Sequence, residues 1–149
     1  MYQPKLLRDR SRPEQIVVAV VIPTIAGAIA GVLVGVSSGA YWGYAALIAL
    51  ATVIAGFEHQ DGWGGADRGL GAGAVYGAAL LIAHAIAGTH AKVSLGSFPP
   101  FLAVITALAG MLLCAAGGRL ARVGRERAQT RAGTSADATE QAPAAVPAE

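Results

Sequence analysis

Four apolar stretches, about Gln15 to Val36, Tyr41 to Phe57, Leu70 to Gly88 and Pro99 to Gly118, run without a single Lys, Arg, Asp or Glu. Each is close to the roughly twenty residues that a helix needs to cross the hydrocarbon of a bilayer. Backbone groups in lipid have to be satisfied within their own segment, and none of the stretches shows the alternation of a membrane barrel strand, so helices are predicted. The expected fold is an all-α membrane protein, a four-transmembrane-helix bundle. With 54% hydrophobic and 13% charged residues in 149, the balance is wrong for a water-soluble domain of this length.

The charges sit at the two ends. Lys5, Arg8, Arg10 and Arg12 precede the first stretch, and Arg119, Arg122, Arg125, Arg127 and Arg131 follow the last, leaving only Arg68 and Lys92 between. The positive-inside bias puts both clusters, and so both termini, in the cytoplasm, with the segment Glu58 to Gly69 on that side and the loops Ser37 to Ala40 and Thr89 to Phe98 on the other. The organisation expected is a basic segment over 1–14, a transmembrane domain over 15–118, a basic juxtamembrane segment over 119–131 and a disordered tail over 132–149, whose Ala, Thr, Pro and Glu cannot bury enough to order it. The bilayer is the first partner, and anionic lipid headgroups are the expected counter-charge. A net charge of +2, with the basic residues close to spans, argues against nucleic acid. Arg-over-Lys usage and abundant Ala and Gly point to a bacterial cell membrane.

Within the spans the clearest pattern is steric. Gly27, Gly31 and Gly35 in the first and Gly69, Gly73 and Gly77 at the start of the third each line one helix face. Such faces let backbones approach closely, which is what associates helices in lipid. They predict a compact bundle, with a glycine face available to a second copy or to another membrane protein. Pro23 predicts a kink in the first span unless Thr24 or a neighbouring helix makes good the lost backbone bond. The lone Cys114 permits no intrachain disulfide and reads as a small packing residue.

Two places carry polar chemistry. His84 is the one ionisable side chain well inside a predicted span; it lies within about 20° of Gly77 round the helix, so it projects toward whatever packs there. It reads either as a proton, ion or ligand contact or as a histidine bonded to a carbonyl. The segment from Glu58 to Gly69 holds Glu58, His59, Asp61 and Asp67, oxygen and nitrogen donors of the kind a divalent ion accepts, but at no established metal spacing. There Asp61-Gly62 reads as a turn and Asp67 as the cap of the third helix. Neither a metal nor another cofactor is assigned. No nucleophile-base set can be assembled, so an enzyme is not expected. Small multidrug transporters and fluoride channels share a four-span layout, but the first span lacks their coupling glutamate and no polar Phe, Ser and Thr track is present. The expected function is a non-enzymatic membrane protein that assembles through its glycine faces, as a homo-oligomer or an accessory subunit. The alternative is a small transporter or channel with His84 in its pathway and Thr24 or Thr106 as lining.

Overall fold

A computed structural model describes residues 11–59, 62–96 and 98–140, without the side chains of Arg12 and 132–140. α1 (Arg12–Ile16), a π-helical turn (Val17–Val21) and α2 (Ile22–Val36) form one rod, followed by α3 (Ser38–Gly56), α4 (Gly62–Ala87) and α5 (Phe101–Glu140). No strand occurs among the described residues. Among the described residues, four helices are long and apolar enough to cross a membrane: Pro13–Val36, Ser38–Gly56, Gly62–Ala87 and Phe101–Arg131. Lys5, Arg8 and Arg10 lie outside the described residues, as do Ser97 and 141–149.

The proline in the first rod is accommodated locally. Pro23 has no N–H to offer the carbonyl four residues back, and the widened turn just before it carries an Ile22 N–H to Val17 carbonyl bond instead. The Thr24 hydroxyl donates to the Val20 carbonyl at 2.7 Å, the position after the Ala19 carbonyl that Pro23 leaves without its usual donor.

Boundaries differ from the sequence expectation in three places. The turn expected over Ser37 to Ala40 contracts to Ser37 alone, whose extended backbone ends α2 and whose Oγ accepts from the Ala40 N–H at 3.5 Å as the N-cap of α3. The third helix begins at Gly62 rather than near Leu70, so the expected Glu58 to Gly69 loop shortens. Glycine is a poor helix former, and tertiary packing overrides that preference here: a Cβ on Gly65 would stand 3.1 Å from the Cys114 carbonyl carbon of α5. α5 continues to Glu140, into the segment expected to be a disordered tail from 132. It starts just after Pro99 and Pro100, whose missing N–H groups cost nothing at a helix entrance, with Leu102 N–H to Pro99 O at 2.9 Å and Ala103 N–H to Pro100 O at 3.1 Å leading into the helix.

The helices close a ring in which α4 lies between α2 and α5, and α3 completes the circuit against α5 and α2. Glycine makes these approaches possible. A Cβ on Gly27 would stand 2.9 Å from the Ala79 Cβ, and one on Gly31 2.9 Å from the Ala83 Cβ, both of α4; Gly35 meets Thr89 just beyond α4. Gly69, Gly73 and Gly77 meet Gly110, Thr106 and Ala103 of α5. Both glycine faces are therefore occupied by this chain's own helices.

Side chains are sorted by size. Among the described residues the fully buried ones include nothing larger than Leu80, Val34 and Cys114, whereas Ile22, Leu47, Ile82 and Leu112, one on each long helix, are between 54% and 65% exposed. Ala30, Val34, Tyr41 and Leu80 form the core cluster, with Tyr44, Tyr76, Val93 and Leu95 packed around it. The Tyr44 hydroxyl donates to the Ala26 carbonyl at 3.2 Å and ties α3 to α2.

Candidate functional site

Glu58 and His59, which follow α3, are brought to Arg68 at the end of the bundle where α3 stops and α4 starts. Phe57 to His59 continue from α3 through N–H bonds back to its last carbonyls, His59 N–H reaching Gly56 O at 3.1 Å. This returns the chain across the end of the bundle and lays Glu58 against the second turn of α4. There the Glu58 carboxylate accepts from the Arg68 guanidinium at 3.2 Å, with the side chains only 23% and 11% exposed. A pair this sheltered needs each partner to hold the other, since either charge alone would be left poorly solvated.

His59 lies beside this pair. Its Nδ1 is buried and has no hydrogen-bond partner among the described residues. Burial, and next the Arg68 cation, holds the imidazole below its ordinary pKa; the Ala55 and Gly56 carbonyls and the Glu58 carboxylate pull the other way and are outweighed. The His59 carbonyl accepts from the Arg125 guanidinium of α5 at 3.2 Å. The same corner thus joins α3, α4 and the part of α5 that leaves the bundle. Below it, Cys114 is 1% exposed, and a Cβ on Gly69 would stand 2.8 Å from its Cβ. That is a packing position, as read from the sequence.

Of the four donors proposed for this segment, Glu58 and His59 are adjacent here, while Asp61 lies outside the described residues. Asp67 is an exposed residue inside α4, not the cap of that helix, because the helix starts five positions earlier at Gly62. Among the described residues no group of three or more His, Cys, Asp and Glu is gathered to hold a metal ion. What the arrangement can do is electrostatic: it fixes three helices at one end and presents arginines on α5 beyond it. The residues missing from the sequence reading are Arg68 and Arg125. Arg68 meets Glu58 because α4 starts at Gly62, which sets its second turn beside the residues that follow α3.

His84 is elsewhere. Counted from Gly62 it is twenty-two residues along α4, roughly 33 Å at the helical rise, so it shares nothing with the Glu58 corner. Its backbone nitrogen would lie 3.0 Å from a Cβ on Gly31, which puts it at the α2 interface, and its Nδ1 is buried with no hydrogen-bond partner among the described residues. Lys92, in the outer loop, is engaged with α2: its N–H and its ammonium donate to the Val34 and Val36 carbonyls at 2.9 Å and 2.8 Å. It thereby satisfies orphan carbonyls at the negative end of α2. Thr24 and Thr106, the suggested lining, direct their hydroxyls to carbonyls of their own helices.

Comparison of the chain with protein-family models, with curated proteins and with solved structures finds no match.

Proposed function

We propose that this chain is a four-span integral membrane protein, with both termini cytoplasmic, that works without catalysis as a contact subunit of a membrane assembly. The bilayer part of the reading rests on the size sorting: close glycine and alanine contacts inside, joined by Val34, Tyr41 and Leu80, and most large aliphatic side chains outside, which departs from the rule for water-soluble folds and suits packing driven by close approach in lipid. Since the glycine triplets are spent inside the bundle, contact with another protein belongs to the outer surface. One candidate is the apolar groove between α2 and α4 lined by Ala28, Ile29, Val32, Ala83 and Ile86.

The observation that carries the contact role is the departure of α5 from the bundle. Beyond Arg125, which still holds the His59 carbonyl, residues 126–131 are exposed and continue a helix whose earlier turns are packed. A polar helix standing away from its own core is suited to meeting something else. In-membrane cross-linking of the tagged protein, mild-detergent capture and mass spectrometry test this. A stoichiometric second protein, or a defined oligomer of the chain, is the expected result; a monomer free of protein adducts overturns it.

A second reading, a small proton-conducting path, is favoured by one observation, the buried and unpartnered His84 Nδ1. Ionisable groups inside spans commonly mark such paths. Proteoliposomes reporting proton flux with a trapped pH dye should lose it on His84→Ala. Equal flux in the two proteins removes this reading.

A further inference from the structure

We infer that the groove between α2 and α4 holds one acyl chain of a phospholipid, whose phosphate is met by the Lys92 ammonium at the groove's mouth. The inference rests on the bilayer part of the reading above; it gives this groove to lipid and leaves protein contact to α5. The groove consists of two adjoining hollows of about 450 and 410 Å³, and Ala28, Ala83 and Ile86 line both. Half-buried Ala28, Ala79 and Ala83 make its floor, and Ile29, Val32, Ile82 and Ile86, between 45% and 81% exposed, stand up as its walls. The Thr24 hydroxyl is turned to the Val20 carbonyl of its own rod, so the lining asks for no hydrogen bond from an occupant.

Length selects an acyl chain over a helix. On α2 the lining runs from Thr24 to Val32 and on α4 from Val75 to Ala87, about 12 and 18 Å at the helical rise. Thr24 and Val75 stand at the middle of Pro13–Val36 and Gly62–Ala87, and Ala87 ends its helix, so the groove opens from the centre of the bundle to one end only. One leaflet of hydrocarbon is about 15 Å deep, half of the roughly 30 Å core. A partner's transmembrane helix needs a seam along the whole span, whereas a single acyl chain needs this depth alone. Lipid tails are as apolar as these side chains, so the gain is contact: an unfilled hollow forfeits the dispersion that a fitted chain recovers.

The mouth of the groove carries a cation. Val36, one turn beyond Val32, falls within about 20° of Ile29 round α2, so it extends that wall to the end of the helix. Its carbonyl accepts from the Lys92 ammonium at 2.8 Å, and among the described residues the Lys92 side chain makes that bond alone. An ammonium has three N–H groups, so this exposed lysine keeps donors for a phosphate oxygen. No Asp or Glu occurs in 15–57 or 69–118, which makes Lys92 the one formal charge at this end of the bundle. The headgroup layer begins where the hydrocarbon, and with it the groove, ends.

The test uses the full chain in phosphatidylcholine vesicles doped with a phosphatidylglycerol that carries a diazirine midway along one acyl chain, irradiated and mapped by mass spectrometry. Adducts are expected around Ala28 to Val32 and Ala83 to Ile86, about threefold or more above those at Leu47 of α3 and Leu112 of α5, both 65% exposed elsewhere on the bundle. Lys92→Gln, which keeps a donor for the Val36 carbonyl and loses the charge, should remove that excess, and Lys92→Arg should keep it. Ala28→Phe, which fills the groove, should remove it with the ammonium still in place; if that variant unfolds earlier in detergent, the exposed Ala87→Phe carries the same test. Even labelling round the bundle overturns the inference, as does an excess that survives Lys92→Gln or that a diazirine diacylglycerol without phosphate reproduces. Capture of another protein's helix by Val32→p-benzoylphenylalanine in native membranes overturns it too and leaves the contact-subunit reading standing. Absence of labelling on every span overturns the bilayer reading itself.

Discussion

At the scale of single residues, the glycines of α2 and α4 act through the atoms they lack. A side chain at Gly73 would stand 2.9 Å from the Ala107 Cα of α5, a backbone position that cannot give way as a flexible side chain can. Gly73→Leu or Gly31→Leu should therefore destabilise the fold itself, by at least about 1–3 kcal/mol, read as earlier thermal unfolding in detergent. If the glycines instead served a seam between copies, the same variants would stay folded and dissociate. The Glu58–Arg68 pair makes a different forecast. Arg68→Gln removes the cation that faces a sheltered carboxylate and should cost on the order of 1–3 kcal/mol, whereas Glu58→Gln combined with Arg68→Gln should cost less than that single change. For His59 the imidazole pKa is lowered in the fold, so the unfolded chain takes up the proton first as pH falls. Stability should then drop on acidification from the ordinary imidazole range, near 6.5, downward, and His59→Gln should flatten that part of the pH profile of unfolding.

Among elements, α2 and α4 were legible in different degrees. The apolar run of the first span and its Pro23 and Thr24 are visible in the sequence, and the structure resolves the proline through a π turn and the Thr24 hydroxyl. Thr24→Val should lose the hydroxyl bond alone, a cost of about 0.5–1.5 kcal/mol in the same thermal assay. The start of α4 was not legible. Gly62, Gly64 and Gly65 with Asp61 look like a turn to local propensity, and only contact with the Cys114 region of α5 makes a helix there favourable. That one shift converts Asp67 from a cap to an exposed helical residue and brings Arg68 to Glu58. The outer loop shows the same limit: Lys92 reads as a lone charge in the sequence, yet it caps the end of α2 across a long separation in the chain. Lys92→Met should loosen that loop, seen as faster amide exchange over 89–96, while the spans keep their protection.

Taken whole, the molecule follows from a segregation already present in the amino-acid sequence. Charges confined to the two ends and four uninterrupted apolar runs are local, additive properties, so the number of long helices and the placement of basic segments can be read by inspection. Which helix lies beside which cannot. Glycine faces on the first and third runs announce close contacts but do not name the partner, because any small, smooth face accepts another backbone. Packing assigns α2 to α4 and α4 to α5, and so fills the surfaces that a sequence reading leaves available to a second copy. The pairing of Glu58 with Arg68, the hold of Arg125 on the His59 carbonyl and the unpartnered Nδ1 of His84 arise the same way. Each depends on distances between elements far apart in the chain, which periodicity and composition do not encode, whereas helix length and hydropathy are properties of one segment at a time.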